Sequence, residues 1–207
     1  MVHFTQRMVG EFKMFPVKKE ALRLKGVRNY KMQMSESAKL DFIMDLHTRL
    51  DRAMTMVFVN RKDTATQLQA KLQTRNITAN ILIGGLENTQ RDQIIDNFRS
   101  GVFSTLISTN VLARGIDVPE VDLVINYDVP MVSKCGFFDP DYANFMHRVG
   151  RTGRFGTDGL ALTLMSQEID PELVGLISAH YDIEINELQT FDELATIFNE
   201  MRSSTLL

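Results

Sequence analysis

Five short apolar runs recur along the chain, and their regular separation limits the folds that it can adopt. The runs are TMVFV, ANILI, STLIS, DLVIN and LALTLM. Amphipathic stretches, such as 62–75 and 89–99, separate the first of these runs. Short apolar strands that alternate with helices are typical of a parallel sheet with helices on both faces. The pattern therefore predicts an α/β fold.

The beginning of the chain predicts an entry segment followed by a single domain. Residues 1–16 mix apolar and charged side chains and end at Phe15-Pro16, where proline disfavours helix in the residue before it. We expect a tail or linker over 1–16 and one domain over 17–207. Within that domain, 27–34 alternates between apolar and polar residues, as a half-buried strand does.

The composition excludes several classes of protein. A chain of 207 residues that is 44% hydrophobic can form one core without metals or disulfides. The single cysteine, Cys135, excludes an internal disulfide, which suits a reducing, intracellular compartment. Because the sequence has no signal peptide and no run of about eighteen apolar residues, we expect a soluble protein that does not enter a membrane. The net charge of -3 means that nucleic acid could bind only to a locally basic surface.

Polar clusters follow the apolar runs, where ligands of open α/β sheets gather beyond the carboxyl ends of the strands. These clusters are Asn60-Arg61-Lys62, Gly84-Gly85, Thr109-Asn110 and the segment 128–144. We expect them to meet at one edge of the sheet.

The segment HRVGRTGR, at 147–154, carries three arginines and one histidine without an acid. Its glycines allow tight turns, which we expect to leave the guanidinium groups pointing outward. A guanidinium group donates paired, charge-assisted hydrogen bonds to phosphate oxygens, so the segment suits a polyphosphate ligand. Composition alone also allows a solvated basic loop.

Four ordered motifs resemble those of a known family. HRVGRTGR reproduces the HRxGRxGR element of the second RecA-like domain of DEAD-box helicases, and STNVLARGID, at 108–117, is similar to their S/T-T-D-x-x-A-R-G-I-D element. VFVNRK resembles their fourth motif, and Gly84 followed by Arg91 resembles their glycine and QxxR pair. The chain thus resembles the C-terminal half of an ATP-dependent RNA helicase. The fold implied is a RecA-like three-layer sandwich with a mostly parallel central sheet and helices on both faces.

The resemblance implies that ATP binds between this domain and an N-terminal RecA-like domain of the same protein. The implied ATP contacts are Gly115, Asp117, Arg151 and Arg154. Arg151 and Arg154 correspond to the arginine fingers that stabilise charge at the γ-phosphate and are therefore the catalytic candidates. Arg114 and His147 correspond to residues that couple the two domains.

The resemblance also implies an RNA site that contacts the sugar-phosphate backbone without base preference. The implied RNA contacts are Asn60, Arg61, Gly84, Arg91 and Thr109. The sequence departs from the family pattern at four positions: Arg61 replaces threonine, Gly85 an acid, Asn88 glutamine and Asn110 aspartate. The loss of acids near RNA should make the local field more positive and favour binding.

Several catalytic elements of the family do not occur in these 207 residues. The sequence contains no G-x-x-x-x-G-K-[ST] phosphate loop, no Asp-Glu-Ala-Asp run and no Ser-Ala-Thr segment. Phosphoryl transfer depends on the lysine and the magnesium ligands that these elements provide. We therefore expect ATP with Mg²⁺ as the cofactor, with the metal held by the missing N-terminal domain. The chain alone should bind no metal and should not hydrolyse ATP.

The segment MVSKCGFFDPDYANFM, at 131–146, is longer than the link that most DEAD-box proteins have there. We interpret it as an extended loop. Together with VKKEALRLKGVRNY upstream, it resembles the mRNA-export branch of the family, which works at the nuclear pore. That resemblance implies an export activator, aided by inositol hexakisphosphate, as a partner, and a cytoplasmic or nuclear location that includes the nuclear pore.

Two other functions are compatible with the sequence. The chain could be a non-catalytic module that binds RNA or an activator, or part of a DNA-directed helicase of the wider superfamily. The ARGID and HRVGRTGR motifs favour the DEAD-box branch over the DNA-directed one.

Overall fold

The structure, a computed structural model, describes residues 27–50, 53–110, 121–134, 136–153 and 159–205. The strands in these ranges are β1 (Val27–Gln33), β2 (Thr55–Phe58), β3 (Ala79–Leu82), β4 (Thr105–Ser108), β5 (Leu123–Asn126), β6 (Met131–Lys134), β7 (Phe137–Pro140), β8 (Gly159–Met165) and β9 (Ile185–Glu187). The helices are α1 (Glu36–Arg49), α2 (Lys62–Gln73), α3 (Asn88–Arg99), α4 (Tyr142–Val149), α5 (Asp170–Tyr181) and α6 (Phe191–Thr205). The predicted tail over 1–16 lies outside the described residues.

Seven strands form a central sheet in the order β3-β4-β2-β5-β8-β1-β9, and every neighbouring pair is parallel. Four of the five apolar runs contain one of these strands, and the fifth, LALTLM, lies within β8. In the register of the sheet, Phe58 lies opposite Ser108 and Asn126, and Ser108 lies opposite Leu82. The carboxyl ends of β2, β3, β4 and β5 therefore line up along one side, here called the carboxyl edge.

Alternation along the strands divides the core into two layers, one on each face of the sheet. In β5, Leu123 and Ile125 belong to one buried cluster, and Val124 belongs to the other. Helices α1, α2 and α6 pack in the first cluster, and α3, α4 and α5 pack in the second. Since a parallel strand is buried on both faces, its residues are apolar almost without interruption. The predicted RecA-like three-layer fold is confirmed.

The segment at 131–146 is not the extended loop that we predicted. Strands β6 and β7 pair in an antiparallel hairpin, and Gly136 at its turn has a φ of 84°. Helix α4 then begins at Tyr142, where the carboxylate of Asp141 accepts a hydrogen bond from the backbone N–H of Asn144 at 3.1 Å. The prediction failed because the hairpin has no alternating pattern of its own, and Asp141 was not recognised as the residue that caps a helix.

Candidate nucleotide and nucleic-acid interface

The carboxyl edge brings together most of the predicted RNA contacts. Asn60 and Arg61 follow β2, Gly84 follows β3, and Thr109 follows β4, all within three residues of the strand end. Arg91 lies in the first turn of α3, the helix that begins after the β3 loop. The sheet register aligns these strand ends, so the structure places the four loop residues along one edge.

Two of these residues carry buried polar atoms without a partner. The Nε atom of Arg91 and the hydroxyl oxygen of Thr109 have no hydrogen-bond partner among the described residues. Buried polar groups in folded proteins are nearly always satisfied, and the exceptions call for a specific explanation. A phosphate or ribose oxygen at the carboxyl edge would satisfy both groups.

The other predicted RNA residues differ in how freely they face solvent. The side chain of Arg61 is 78% exposed and lies 3.9 Å from the carboxylate of Asp63. The carbonyl of Gly84 accepts a hydrogen bond from Lys62 Nζ at 2.7 Å. The side-chain amide of Asn60 instead faces the protein, where its Nδ2 donates to the carbonyl of Val129 at 2.8 Å. Asn60 is thus engaged within the domain, and its RNA role stays a prediction.

Arg148, the second residue of HRVGRTGR, is only 2% exposed and is the largest of the fully buried side chains among the described residues. Its Nε and Nη2 donate to the amide oxygen of Asn110 at 3.0 and 2.5 Å, and Nη2 also donates to Asn60 Oδ1 at 2.8 Å. Its Nη1 donates to the carbonyl of Asp128 at 2.9 Å and to Asn126 Oδ1 at 3.4 Å. One guanidinium group therefore joins the residues that follow β2, β4 and β5.

The burial of Arg148 corrects our expectation that the guanidinium groups of HRVGRTGR all point outward. It also changes the interpretation of Asn110, which we expected to affect RNA through its missing charge. Asn110 instead faces Arg148, so the aspartate usual at this position would sit beside a buried cation. Sequence reasoning assigned no role to Arg148. The signal was the spacing of Phe145, Arg148 and Val149, which lie on the buried face of α4.

Burial and neighbouring charges set the electrostatics of this network. Burial lowers the pKa of Arg148 to about 10, while the carboxylates of Asp128 and Asp141 act in the opposite direction. The guanidinium group therefore stays charged at neutral pH. Burial also raises the pKa of Asp128, an effect opposed by the hydrogen bond from the Asn60 backbone N–H and by Lys39.

Lys39 extends the network towards α1. It is 1% exposed, and its Nζ lies 2.7 Å from the carbonyl of Tyr127, 3.0 Å from the Glu36 carboxylate and 3.9 Å from that of Asp128. A cavity of about 220 Å³ opens beside it and includes Asn60 and Arg61 in its lining. Asp128 therefore lies between two buried cations, Lys39 and Arg148, at the carboxyl edge.

The loop after α4 positions the predicted finger Arg151. The carbonyl of Arg151 accepts a hydrogen bond from the N–H of Val121 at 3.0 Å, and Val121 follows Asp117 by four residues in the chain. Thr152 is fully buried, and its hydroxyl donates to the carbonyl of Asp122 at 3.3 Å. The loop is thus fixed to the segment that follows the ARGID motif.

The remaining predicted site residues are placed as follows. His147 is exposed on α4, on the turn before Arg151. Four other predicted residues lie outside the described part of the chain: Gly115, Asp117, Arg114 and Arg154. The roles of all these residues stay predictions.

A comparison with known protein families identifies the domain. The pattern of the helicase conserved C-terminal domain matches residues 38–156. The chain belongs to this helicase family. The resemblance to the C-terminal RecA-like domain of DEAD-box helicases, in particular to the mRNA-export member, is confirmed.

Individual relatives agree with this assignment. The helicase domain is 35% identical over 205 residues to "ATP-dependent RNA helicase DBP5" of Candida albicans, covering 97% of the chain and 37% of that relative. S. cerevisiae Dbp5 bound to RNA and ADP BeF3 superposes with a TM-score of 0.85 at 31% identity, covering 97% of the chain and 51% of the other. A variant S. cerevisiae Dbp5 C-terminal domain bound to a Gle1 variant and IP6 has a TM-score of 0.72 at 34% identity. The match covers 84% of this chain and 98% of that domain. The chain thus spans little more than a third of the length of the Candida albicans relative.

Within the described part of the chain, no helix is both long and apolar enough to cross a membrane.

Proposed function

We propose that this domain forms one wall of the ATP- and RNA-binding cleft of an ATP-dependent DEAD-box RNA helicase. The observation that supports this most is the position of HRVGRTGR. Its Arg148 joins the carboxyl edge, where the RNA contacts are predicted, and its Arg151 lies against the segment that follows the ARGID motif. A single eight-residue segment therefore contacts both the predicted RNA side and the predicted ATP side of the proposed cleft.

The proposed division of labour follows from these positions. Arg151 and Arg154 present guanidinium groups to the γ-phosphate and stabilise the charge that develops there during hydrolysis. Asp117, with Gly115 beside it, accepts a hydrogen bond from the ribose. Arg114 and His147 contact the opposite domain. The exposed position of His147 is compatible with that contact.

On the RNA side, Arg61, Gly84, Arg91 and Thr109 contact the sugar-phosphate backbone. The partnerless Nε of Arg91 and hydroxyl of Thr109 support this because phosphate and ribose oxygens accept and donate the missing hydrogen bonds. Asn60 supports these residues from within the domain, since its side-chain amide is hydrogen-bonded to Arg148 and to the carbonyl of Val129. The absence of base contacts in this scheme predicts binding without sequence preference.

We infer, as the resemblance implies, that an N-terminal RecA-like domain of the same protein holds the magnesium ion. No group of three or more metal-ligating side chains occurs among the residues that the structure describes. When bound, Mg²⁺ neutralises charge on the phosphates. The residues of this domain add guanidinium charge from the other side of the nucleotide.

The proposed partners are RNA, the N-terminal RecA-like domain, and an mRNA-export activator with inositol hexakisphosphate. The last is supported by the complex of the related C-terminal domain with Gle1 and IP6. With these partners, we propose a cytoplasmic or nuclear location that includes the nuclear pore, and a role in mRNA export or in the remodelling of RNA–protein complexes.

A chimera tests the enzymatic function against the non-catalytic alternative. The helicase of Candida albicans would have its C-terminal portion replaced by this chain, and ATP hydrolysis would be measured with RNA, with DNA and without nucleic acid. The proposal predicts hydrolysis that RNA stimulates and DNA does not, because the 2′-hydroxyl distinguishes the two. A chimera that binds RNA and the nucleotide but does not hydrolyse ATP would favour a binding module. Equal stimulation by DNA would favour the DNA-directed helicase.

A further inference from the structure

Lys39 is a buried cation that reaches from α1 to the carboxyl edge. Its Nζ donates to the carbonyl of Tyr127 at 2.7 Å and lies 3.9 Å from Asp128 Oδ1, and both residues follow β5. A buried ion pair is costly to desolvate, and well-packed apolar side chains of similar volume are often as stable in its place. Stability alone therefore does not account for a lysine at this position.

The other side of the Lys39 ammonium group is fixed by α1 and β8. The carboxylate of Glu36 lies 3.0 Å from Lys39 Nζ and also accepts a hydrogen bond from the hydroxyl of Ser166 at 2.8 Å. Ser166 directly follows β8. Lys39 is thus held in one orientation, with its charge directed at the segment after β5.

The segment after β5 is in turn joined to the segment after β2. The carbonyl of Phe58 accepts hydrogen bonds from the N–H groups of Tyr127 at 2.9 Å and of Asp128 at 3.3 Å. In the opposite direction, Asp128 Oδ2 accepts a hydrogen bond from the backbone N–H of Asn60 at 2.7 Å. The carboxylate of Asp128 therefore links Lys39 to the backbone of Asn60.

Arg61, a predicted RNA contact, directly follows this link. Its side chain is 78% exposed and makes no capping hydrogen bond at the start of α2. The backbone is held on both sides, since Asn60 donates to Asp128 and the carbonyl of Arg61 accepts from the N–H of Ala65 at 3.2 Å. The position from which the guanidinium group projects therefore depends on the contact between Asn60 and Asp128.

We propose that Lys39 is a positioning residue for RNA binding, which acts through Asp128 to hold Arg61 in place at the carboxyl edge. Lys39 itself contacts no RNA, because it is buried. Without it, the carbonyl of Tyr127 loses a donor and Asp128 loses one of its two neighbouring cations. The segment after β5 is then held less firmly, and Asn60 with it. This inference rests on the proposed function and adds to it a residue from α1.

A double-mutant cycle tests the inference in the chimera described above. The affinity for a labelled poly-uridine RNA is measured by fluorescence anisotropy in the presence of a non-hydrolysable ATP analogue. Lys39→Met and Arg61→Met should each weaken binding about five- to tenfold. Because Lys39 acts through Arg61, the double variant should bind no more than about tenfold more weakly than the parent. Independent effects would instead multiply to at least about 25-fold.

Two controls separate this coupling from a general loss of structure or charge. Arg91 is a predicted RNA contact on another helix, α3, so the effects of Lys39→Met and Arg91→Met should multiply. Lys71 is exposed in the last turn of α2, far along that helix from Arg61. Lys71→Met removes the same charge and should leave the affinity within about twofold of the parent.

Asp128→Asn decides the question where Lys39→Met does not fold. It keeps the shape of the side chain but weakens the acceptor for the N–H of Asn60, so it should show the same coupling to Arg61→Met. Parental RNA affinity in Lys39→Met, or effects that multiply with those of Arg61→Met, would overturn the inference and leave the proposed function intact. A parent chimera that binds no RNA would overturn both.

Discussion

Arg148 donates two hydrogen bonds to a single amide oxygen, that of Asn110, from Nε at 3.0 Å and from Nη2 at 2.5 Å. The pair joins the motif that contains the predicted arginine fingers to the segment after β4. Because Asn110 is neutral, the buried guanidinium group faces an amide dipole where the family usually has a carboxylate.

A carboxylate at position 110 should stabilise the domain. Asn110→Asp is expected to raise the free energy of unfolding by about 1 kcal/mol, because hydrogen bonds between charged groups are stronger than those to a neutral amide. Asn110→Leu, of similar size, should lower it by about 1–3 kcal/mol because part of the guanidinium group loses its acceptor. Urea unfolding of the three proteins measures both changes. Equal losses in the two variants would show that Arg148 and Asn110 do not interact.

Removal of the buried guanidinium group should be costly. Arg148→Met leaves the amide oxygens of Asn60, Asn110 and Asn126 without their donor, and we expect a loss of about 3–5 kcal/mol. Arg148→Lys should recover little of it, because an ammonium group cannot replace the planar fork of donors.

The matched control for Arg148 is Arg61→Met, at a side chain that is 78% exposed. Its free energy of unfolding should stay within about 0.5 kcal/mol of the wild type. If denaturant titration found Arg148→Met as stable as this control, the network would not contribute to the fold.

Two glycines should respond in opposite ways to replacement by alanine. A Cβ atom on Gly159 would lie 2.4 Å from the backbone nitrogen of Gly153 and 2.5 Å from Thr152 Oγ1. Gly159→Ala should therefore destabilise the domain by about 1–3 kcal/mol and displace the loop after Arg151. Gly175→Ala, in an exposed helix without neighbours, should stabilise it by about 0.5–1 kcal/mol. Thermal melting compares the two, and a gain in stability for Gly159→Ala would contradict the close approach.

His47 should make the domain less stable in mild acid. Burial lowers the pKa of His47 below its usual 6.5, so between that pKa and about 6.5 the unfolded chain binds more protons than the folded one. Stability should fall as the pH drops through this window. His47→Gln should remove this part of the dependence when urea unfolding is compared at about pH 7.5 and about pH 5.

Thr105→Val is the control for His47. The hydroxyl of Thr105 lies 2.7 Å from His47 Nε2, so the variant removes a hydrogen bond but leaves the ring buried. It should keep the pH dependence, since burial is its cause. The raised pKa of Asp128 acts in the opposite direction, stabilising the fold as the pH falls, and it cancels when each variant is compared with the wild type. A pH profile of His47→Gln identical to that of the wild type would refute the assignment.

The fold was predictable from the sequence because its signal is local. Each buried parallel strand is a short apolar run, and the order of the runs with their helices leaves few arrangements open. The carboxyl-edge positions of Asn60, Gly84 and Thr109 followed from the same pattern, since polar residues after parallel strands meet at one side of the sheet.

The burial of Arg148 could not be predicted in this way. It depends on the convergence of Asn60, Asn110 and Asn126 at the ends of three different strands, and no single segment shows that convergence. The fit of Gly159 against Gly153 is likewise a property of packing between segments. The contact of the β6-β7 hairpin with α5 was also missed, because we interpreted the hairpin as a loop.

The most direct test of the central claim is single-turnover ATP hydrolysis by the chimera with Arg151→Ala, at saturating RNA and nucleotide. If Arg151 reaches the γ-phosphate, the rate should fall on the order of a thousandfold, while the affinity for RNA stays that of the parent chimera. Hydrolysis at the parent rate would contradict the claim that this domain completes the ATP site.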